Sequence, residues 1–317
     1  MSFPARPSLP DVPDDDYDDD DPTGAWARPV KRRTRPSPHA DDDTPPRRPS
    51  RLPDPEPDLP DLGDRWSSFH SAVHGPEPRP DWVITERAAV DVELGILKTG
   101  KEADVHLLER SVPGTDRVNV LAAKRYRDLE HLQFTRDAAY LAGRRVRKSR
   151  DQRAMEKKTA VGRAMLGVQW ANAEFGYLSQ LWAAGAPVPY PVQIDGTELL
   201  MEFAVDEDGE AAPRLAQTRP EPTVARILWD QVLDAMLLMA EHGWTHGDLS
   251  AFNVLVSGER IVLIDVPQVI DVVSNPEGPD FLARDVATIS SWFRAHGVDD
   301  LDDAALTALL LRAAGMR

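Results

Sequence analysis

The stretch HGDLSAFNVLV, residues 246–256, ends in an apolar run that begins directly after Asn253. A second apolar run, residues 260–264, follows a short turn around Gly258. Two short apolar runs joined by a glycine-containing turn are typical of an antiparallel β-hairpin. Counting outward from the turn predicts that Asn253 lies opposite Asp265. An amide and a carboxylate are thus expected to meet at one end of the hairpin.

The chemistry of this end of the hairpin is that of a phosphoryl-transfer site. Amide and carboxylate oxygens of Asn253 and Asp265, completed by phosphate oxygens, suit Mg²⁺, which keeps several ligands from outside the protein. Asp248 lies in the preceding loop, where its carboxylate is expected to orient a hydroxyl and accept its proton. Phosphoryl transfer depends mainly on positioning and on neutralising charge. The alternative interpretation is a hairpin with polar residues at its base.

A phosphate-binding site also needs a cation and a backbone cradle, and candidates for both precede this stretch. Lys124 ends the apolar strand VLAAK and is expected to reach phosphates as a point charge. Glu174, in the middle of the helical segment WANAEFGYL, is the candidate partner of Lys124; a solvated helix glutamate is the alternative. The turn in LKTGKEADVHLL carries Gly100, whose neighbouring backbone amides are candidates for covering phosphates.

Composition narrows the class of protein. The 317 residues contain 53 acidic and 37 basic side chains and no cysteine. The net charge of −16 argues against nucleic-acid binding by the chain as a whole, and the absence of cysteine excludes disulfides and thiolate chemistry. Neither a signal peptide nor an apolar run of the roughly 20 residues that span a bilayer is found. The expected location is the cytoplasm, without a membrane partner.

The distribution of residue types predicts an α+β fold with two lobes behind a disordered tail. Residues 1–80 hold most of the 28 prolines together with acidic runs, and too few apolar residues to form a core. Residues 81–203 are rich in short apolar runs typical of strands, and residues 204–317 are mostly helical in pattern. These ranges are the predicted tail, strand-rich N-lobe and small helical C-lobe, with a ligand cleft expected between the two lobes.

Five ordered motifs together resemble the RIO family of atypical serine/threonine protein kinases, and its first subfamily in particular. They are LKTGKEADVHLL, LAAKRY, WANAEF, HGDLSAFNVLV and LIDVPQ. The resemblance runs from about residue 95 to residue 293. It implies a bilobal protein-kinase-like fold that uses ATP and Mg²⁺ and acts on a protein substrate or on itself.

The resemblance also implies a role for each motif residue. Asp248 is expected to be the catalytic base and Asp285 to brace its loop. The other expected roles are as follows: metal ligands Asn253 and Asp265; phosphate binding by Lys124, paired with Glu174; phosphate loop Thr99, Gly100, Lys101, Glu102, Ala103 and Asp104; adenine hinge Met201, Glu202 and Phe203.

Several departures from typical protein kinases leave the choice between protein kinase and ATPase open. The chain has no Gly-x-Gly-x-x-Gly and no Ala-Pro-Glu, and Gly247 stands where the arginine that reads a phosphorylated activation loop is usual. The segment after Asp265 is short, so that a platform for a peptide substrate is not expected. Pro267 occupies a position where the family usually has a small hydroxyl residue.

A basic segment and two other functional classes complete the expectations. Residues 144–158 are rich in arginine and lysine and correspond to the long insertion of the family, which suggests contact with ATP, ribosomal RNA or an acidic partner, or simply a solvated loop. A small-molecule phosphotransferase of the aminoglycoside or choline type shares His-Gly-Asp-x-x-x-x-Asn, but needs a longer segment after its metal-binding aspartate. A nucleotide-binding scaffold without catalysis is the third possibility.

Overall fold

The N-terminal half of the described chain is built around one antiparallel sheet. The computed structural model describes residues 60, 62–100, 102–127, 160–266 and 269–316. Seven strands in these ranges join in the order β1-β3-β4-β5-β7-β6-β2. Their bounds are Arg65–Trp66 (β1), Val73–His74 (β2), Val90–Thr99 (β3), Ala103–Ser111 (β4), Val118–Tyr126 (β5), Pro191–Asp195 (β6) and Glu198–Glu202 (β7).

The two faces of the sheet belong to two apolar clusters. Along β5, Leu121 and Ala123 pack with Phe69 on one face, whereas Ala122 and Tyr126 pack with helix α1 on the other. This alternation follows from the two-residue period of a strand. Helix α1 spans Ala160–Ala183 and ends before Gly185, whose φ of 89° is one that glycine adopts readily. The face of the sheet that carries α1 is the one that leads to the site described below.

The sheet begins earlier in the chain than the sequence predicts. Strands β1 and β2 pair with β3 and β6 at opposite edges of the sheet, so the residues between them cross one face. Phe69 in this crossing is 3% exposed. The prediction of a disordered tail up to residue 80 is therefore wrong for these strands, which edge pairing and burial of Phe69 hold in place. The rest of the predicted tail, residues 1–59 and 61, lies outside the described residues.

Helices dominate the C-terminal half. Helix α2 (Pro222–Glu241) starts with a proline in its first turn, and α3 (Gly278–Arg294) and α4 (Asp303–Ala313) follow. Two small antiparallel sheets lie between α2 and α3. They are β8 (Trp244–Thr245) with β11 (Ile270–Asp271), and β9 (Val254–Ser257) with β10 (Arg260–Leu263). This half is therefore mixed rather than purely helical.

One apolar cluster runs through both halves. It includes Phe175 and Leu178 of α1, Trp229 and Val232 of α2, and Phe293 of α3. Within the described residues, no helix is both long enough and apolar enough to cross a membrane. The core thus anchors the first sheet and the β9–β10 hairpin to each other, and polar side chains from both project near its edge.

Candidate active site

A buried lysine joins two carboxylates from distant parts of the chain. Lys124 Nζ lies 2.8 Å from Glu174 Oε1 of α1 and 2.8 Å from Asp265 Oδ1, which follows β10. The side chains of Lys124 and Glu174 are 12% and 2% exposed, and that of Asp265 is 39% exposed. The Lys124–Glu174 ion pair is the one that the sequence predicts. Asp265 is the member of the cluster that remains open to solvent.

The charges in this cluster stabilise one another. Burial alone lowers the pKa of Lys124, but the carboxylates of Glu174 and Asp265 outweigh it and raise that pKa above its ordinary value. Burial tends to raise the pKa of Asp265, but the Lys124 ammonium, with His246 and Lys98, outweighs burial, so the net effect is a lowering. Lys124 and Asp265 are therefore both charged at neutral pH. The cluster therefore presents a fixed ammonium beside a carboxylate that is partly open to solvent.

Tyr126 is a member of the cluster that sequence reasoning missed. Its hydroxyl donates to Glu174 Oε2. Burial raises the pKa of Tyr126 well above its ordinary value, and the neighbouring Glu174 carboxylate adds to this effect. Tyr126 follows Lys124 by two residues on β5, so the two-residue period of a strand was a signal that both face the same side. The tyrosine fixes the carboxylate that fixes the lysine.

The loop that carries Asp248 is held by one buried carboxylate. Asp285 of α3 is 1% exposed and accepts hydrogen bonds from Thr245 Oγ1 at 2.6 Å, Gly247 N at 2.7 Å and Leu249 N at 2.8 Å. The predicted bracing of this loop by Asp285 is confirmed by these contacts. Because two of the three donors are backbone amides on either side of Asp248, they fix the backbone conformation at that residue.

The hairpin after this loop forms, but its register differs from the predicted one by one residue. The turn consists of Gly258 and Glu259, and the pairing of Arg260 with Ser257 places Asn253 opposite Ile264 rather than Asp265. Consistently, Ile264 N donates to Asn253 O at 3.0 Å. The predicted juxtaposition across the hairpin is wrong because the two-residue turn sets Asn253 opposite the residue before Asp265. Asp265 lies one position further along.

The backbone at Asp265 turns its side chain toward the first sheet. Asp265 has a φ of 65°, a left-handed conformation that is uncommon for residues other than glycine and that aspartate tolerates. The turn directs its carboxylate to Lys124 of β5. His246 Nε2 lies 3.1 Å from Ile264 O and supports the same corner. Residues 267 and 268, including Pro267, lie outside the described part.

Asn253 is oriented by the loop that precedes it. Its Nδ2 donates to Asp248 O at 2.9 Å, and the residue is 7% exposed. With its amide nitrogen used in this way, Oδ1 is the atom that remains to coordinate a cation. No group of three or more histidine, aspartate and glutamate side chains suited to a metal occurs in the described residues. Any metal here would therefore need ligands from a bound phosphate besides Asn253 and Asp265.

The predicted phosphate loop is a tight turn between β3 and β4. Gly100 N donates to Ala103 O at 3.0 Å, and a Cβ at Gly100 would lie 2.8 Å from that oxygen, so the turn needs glycine. Asp104 does not face Lys124: its carboxylate binds Arg127, with Nε at 2.8 Å from Oδ2. Glu102 and Thr99 flank the turn, and Lys101 lies outside the described residues.

The predicted hinge residues end the first sheet. Met201 pairs with Ala122 of β5 and is 9% exposed. Glu202 is tied at both its backbone and its side chain: its N donates to Tyr190 O at 2.9 Å and its Oε2 accepts from Tyr190 N at 3.0 Å. Phe203 follows directly and packs against the shared apolar cluster. This segment leads from the sheet to the helical half.

Comparison with known proteins identifies relatives over most of the chain. Residues 118–306 match the model of the RIO domain. Serine/threonine-protein kinase RIO1 of Chaetomium thermophilum is 31% identical over 241 residues, which is 73% of this chain and 45% of the relative. RIO-type serine/threonine-protein kinase Rio1 of Haloferax volcanii is 33% identical over 217 residues, 68% of each chain. The chain thus spans less than half of the first relative and about two thirds of the second.

Proposed function

The chain belongs to the RIO family, and we propose that it transfers the γ-phosphoryl group of ATP to a serine or threonine hydroxyl of a protein, its own included, or to water. One observation carries this proposal: Lys124 of β5, Glu174 of α1 and Asp265 after β10 meet with separations of 2.8 Å. A structural ion pair would not require three elements and an exposed carboxylate. The family and the names of its curated members support the same activity.

The proposed chemistry assigns one task to each side chain. Lys124, held by Glu174, neutralises phosphate charge on the nucleotide. Asp248 accepts the proton of the attacking hydroxyl. The hydroxyl oxygen forms a bond to the γ-phosphorus, and the bond between that phosphorus and ADP breaks. Asp285 keeps the Asp248 loop in place through its two backbone amide contacts. In this scheme the hydroxyl attacks the γ-phosphorus directly; transient phosphorylation of Asp265 is the alternative route.

We assign Mg²⁺ to Asn253 and Asp265. The fit rests on their donor atoms, an amide oxygen left over by the Nδ2 contact and a partly exposed carboxylate, both of which are hard oxygen ligands. When bound, the ion would neutralise charge on the phosphates. Lys124 already binds the carboxylate of Asp265. This carboxylate would therefore be shared between the ammonium and the ion.

The bilobal arrangement is also part of the proposal. The first sheet with α1 would form an N-lobe and α2–α4 a C-lobe, divided near Phe203, with adenine against the backbone of residues 201–203. The turn between β3 and β4 would cover the phosphates with its backbone amides. Among the residues proposed for the phosphate loop, Asp104 has the least support, because its carboxylate is already paired with Arg127.

Partners and location are proposed from the sequence. Residues 144–158 are proposed to contact ribosomal RNA, ATP or an acidic partner, and they lie outside the described residues. Binding of RNA through this segment would weaken steeply with salt because counterions are released. We place the protein in the cytoplasm, which suits a chain without cysteine.

The decisive experiment follows the label of [γ-³²P]ATP in the presence of Mg²⁺. Label in the protein itself, in a basic test protein or in free phosphate supports a protein kinase or ATPase. Label in an aminoglycoside or in choline would instead establish a small-molecule phosphotransferase. Nucleotide binding without any transfer or hydrolysis would identify a scaffold, and the proposed activity would be rejected.

A further inference from the structure

A second lysine lies in the same cross-strand row as Lys124. Lys98 of β3 pairs directly with Val105 of β4, and Val105 pairs directly with Lys124 of β5. Directly paired residues in a sheet project from the same face, so both lysines project toward the α1 side. Two strand spacings separate them, roughly 10 Å along the sheet. Lys98 is exposed, and it lies at the end of β3 next to the phosphate turn.

An arginine from an earlier segment contacts the loop that carries Asp248 and Asn253. Arg214 donates through its guanidinium to the carbonyl oxygen of Phe252, the residue before Asn253. Its backbone is fixed by a β-bridge to Leu255, and the neighbouring Pro213 O accepts from Val256 N at 2.9 Å. The guanidinium is thus tied to the loop that carries Asp248 and Asn253. Since one contact to a carbonyl uses only part of its five N–H donors, further donors remain for an anion.

Lys98 and Arg214 lie close enough for their positive charges to repel each other. Partial burial lowers the pKa of Lys98, and the Arg214 guanidinium lowers it further, whereas Asp265 acts in the opposite direction. Among the described residues, neither side chain forms an ion pair with Asp or Glu. In a chain with 53 acidic residues, two cations left near each other in this way cost free energy. A bound anion would remove that cost.

We propose that Lys98 and Arg214 form a clamp that holds the γ-phosphoryl group of ATP. This proposal rests on the proposed function. Lys124 is placed for the inner phosphates, Lys98 lies further out along the same row, and Arg214 is tied beside the loop that receives the hydroxyl. As the bond between the γ-phosphorus and ADP breaks, both side chains donate hydrogen bonds to the oxygens of the γ-phosphoryl group. No covalent bond to either side chain forms or breaks.

The test compares affinity for a non-hydrolysable ATP analogue with affinity for ADP, both with Mg²⁺, by titration calorimetry on the full chain. Lys98→Met is expected to weaken analogue binding about tenfold and to leave ADP binding nearly unchanged, because the variant loses one charge-assisted hydrogen bond to the γ-phosphoryl group. Arg214→Lys keeps the charge and should give a smaller loss. The matched control, Arg87→Met, removes one exposed positive charge just before β3, at the end away from Lys98, and should change neither affinity.

Each alternative outcome has a distinct meaning. If Lys98→Met weakens both nucleotides equally or neither, the clamp does not hold the γ-phosphoryl group and the inference is wrong. If it raises KM for a protein substrate while the ratio of analogue to ADP affinity stays fixed, the two cations bind the substrate instead. If the unmodified chain binds neither nucleotide, the proposed function itself fails. Thermal melting supports the proposal if Lys98→Met is no less stable, since the variant removes a repulsion.

Discussion

The first sheet carries a buried ion cluster on each face, and the two differ in how completely they are closed. On one face Arg110 donates to both oxygens of Asp91, at 2.7 and 3.0 Å, and to Gln193 Oε1 at 2.8 Å. Arg110 and Asp91 are each 1% exposed in their side chains. On the other face Lys124 binds Glu174 and Asp265, of which Asp265 is 39% exposed.

This difference separates a cluster closed to solvent from an accessible one, which we propose is the functional one. The Arg110–Asp91 pair is bidentate and excluded from solvent, so it has little capacity to bind a further group. The Lys124 cluster ends in a carboxylate that solvent reaches and that a cation can approach. We therefore expect substitutions on the first face to change stability and those around the second face to change turnover.

The largest expected effect is on turnover and concerns the loop beside the Lys124 cluster. Asp248→Ala removes the proposed acceptor of the hydroxyl proton and should lower turnover by about 10²–10⁴-fold, the usual contribution of general base catalysis. Single-turnover transfer from [γ-³²P]ATP measures it, with circular dichroism to establish that the variant folds. Asp234→Ala, at an exposed position of α2, is the matched control and should retain activity. Retention of full activity by Asp248→Ala would remove the assigned base.

The next effect is on stability and concerns the Arg110–Asp91 pair. Arg110→Met leaves Asp91 buried without its main cation, and losing one member of a buried ion pair typically costs about 3–5 kcal/mol. The free energy of unfolding from urea titration should fall by that amount. Nucleotide affinity of the folded fraction should stay constant, because Arg110 lies on the face away from Lys124.

A second variant makes this comparison stricter. Replacing both members, as Arg110→Met with Asp91→Leu, should recover much of the lost stability, since neither charge of this pair then stays buried. If Arg110→Met instead abolished turnover while leaving the urea midpoint unchanged, the division between the two faces would be wrong.

Local patterns predicted the parts of the site that lie close together in sequence or follow a simple period. The β9–β10 hairpin, the helix around Glu174 and the bracing residue Asp285 were all predicted from apolar spacing or from the motif resemblance. The register of the hairpin was predicted wrongly by one residue, because the sequence alone does not specify which residues form the turn. Tyr126 and Arg214 join the site through contacts that only the folded chain specifies.

The N-terminal strands could not be predicted for a related reason. β1 and β2 have two residues each and lie in a proline-rich region, so neither has a periodic pattern of its own. Their order comes from the edges of a sheet whose other strands follow later in the chain. The composition of a segment indicates how much apolar surface it can bury by itself. It does not include the backbone hydrogen bonds and packing that the edge of a sheet provides.

A smaller effect tests whether this N-terminal crossing supports the Arg110 cluster. Ser68 Oγ accepts from Gln193 Nε2 at 2.7 Å, and Gln193 is fully buried. Ser68→Ala leaves that donor unsatisfied and should cost about 1–3 kcal/mol in the free energy of unfolding. Ser71→Ala, three residues later and exposed, should stay within about 0.5 kcal/mol of the unmodified chain. Equal losses in both variants would show that the contact with Gln193 contributes nothing specific.

The smallest effect concerns protonation of the open cluster. Burial raises the pKa of Asp265, and the Lys124 ammonium together with His246 and Lys98 outweighs burial, so Lys124→Met should move that pKa upward. Because the folded-state pKa lies below the ordinary value of about 3.9, the stabilisation from this pair is present above that value. It is lost as the pH falls through the folded-state pKa, and Lys124→Met should weaken this acid dependence.

Carbon-13 NMR titration of the Asp265 carboxyl group measures the shift directly. Arg125→Met, one residue along β5 and paired with Glu198 rather than Asp265, is the control and should leave the titration unmoved. An Asp265 carboxyl that titrates at the same pH with and without Lys124 would mean that the two side chains are not in contact in solution. The cluster would then resemble two independent surface charges, and the contrast with the closed Arg110 cluster would lose its functional meaning.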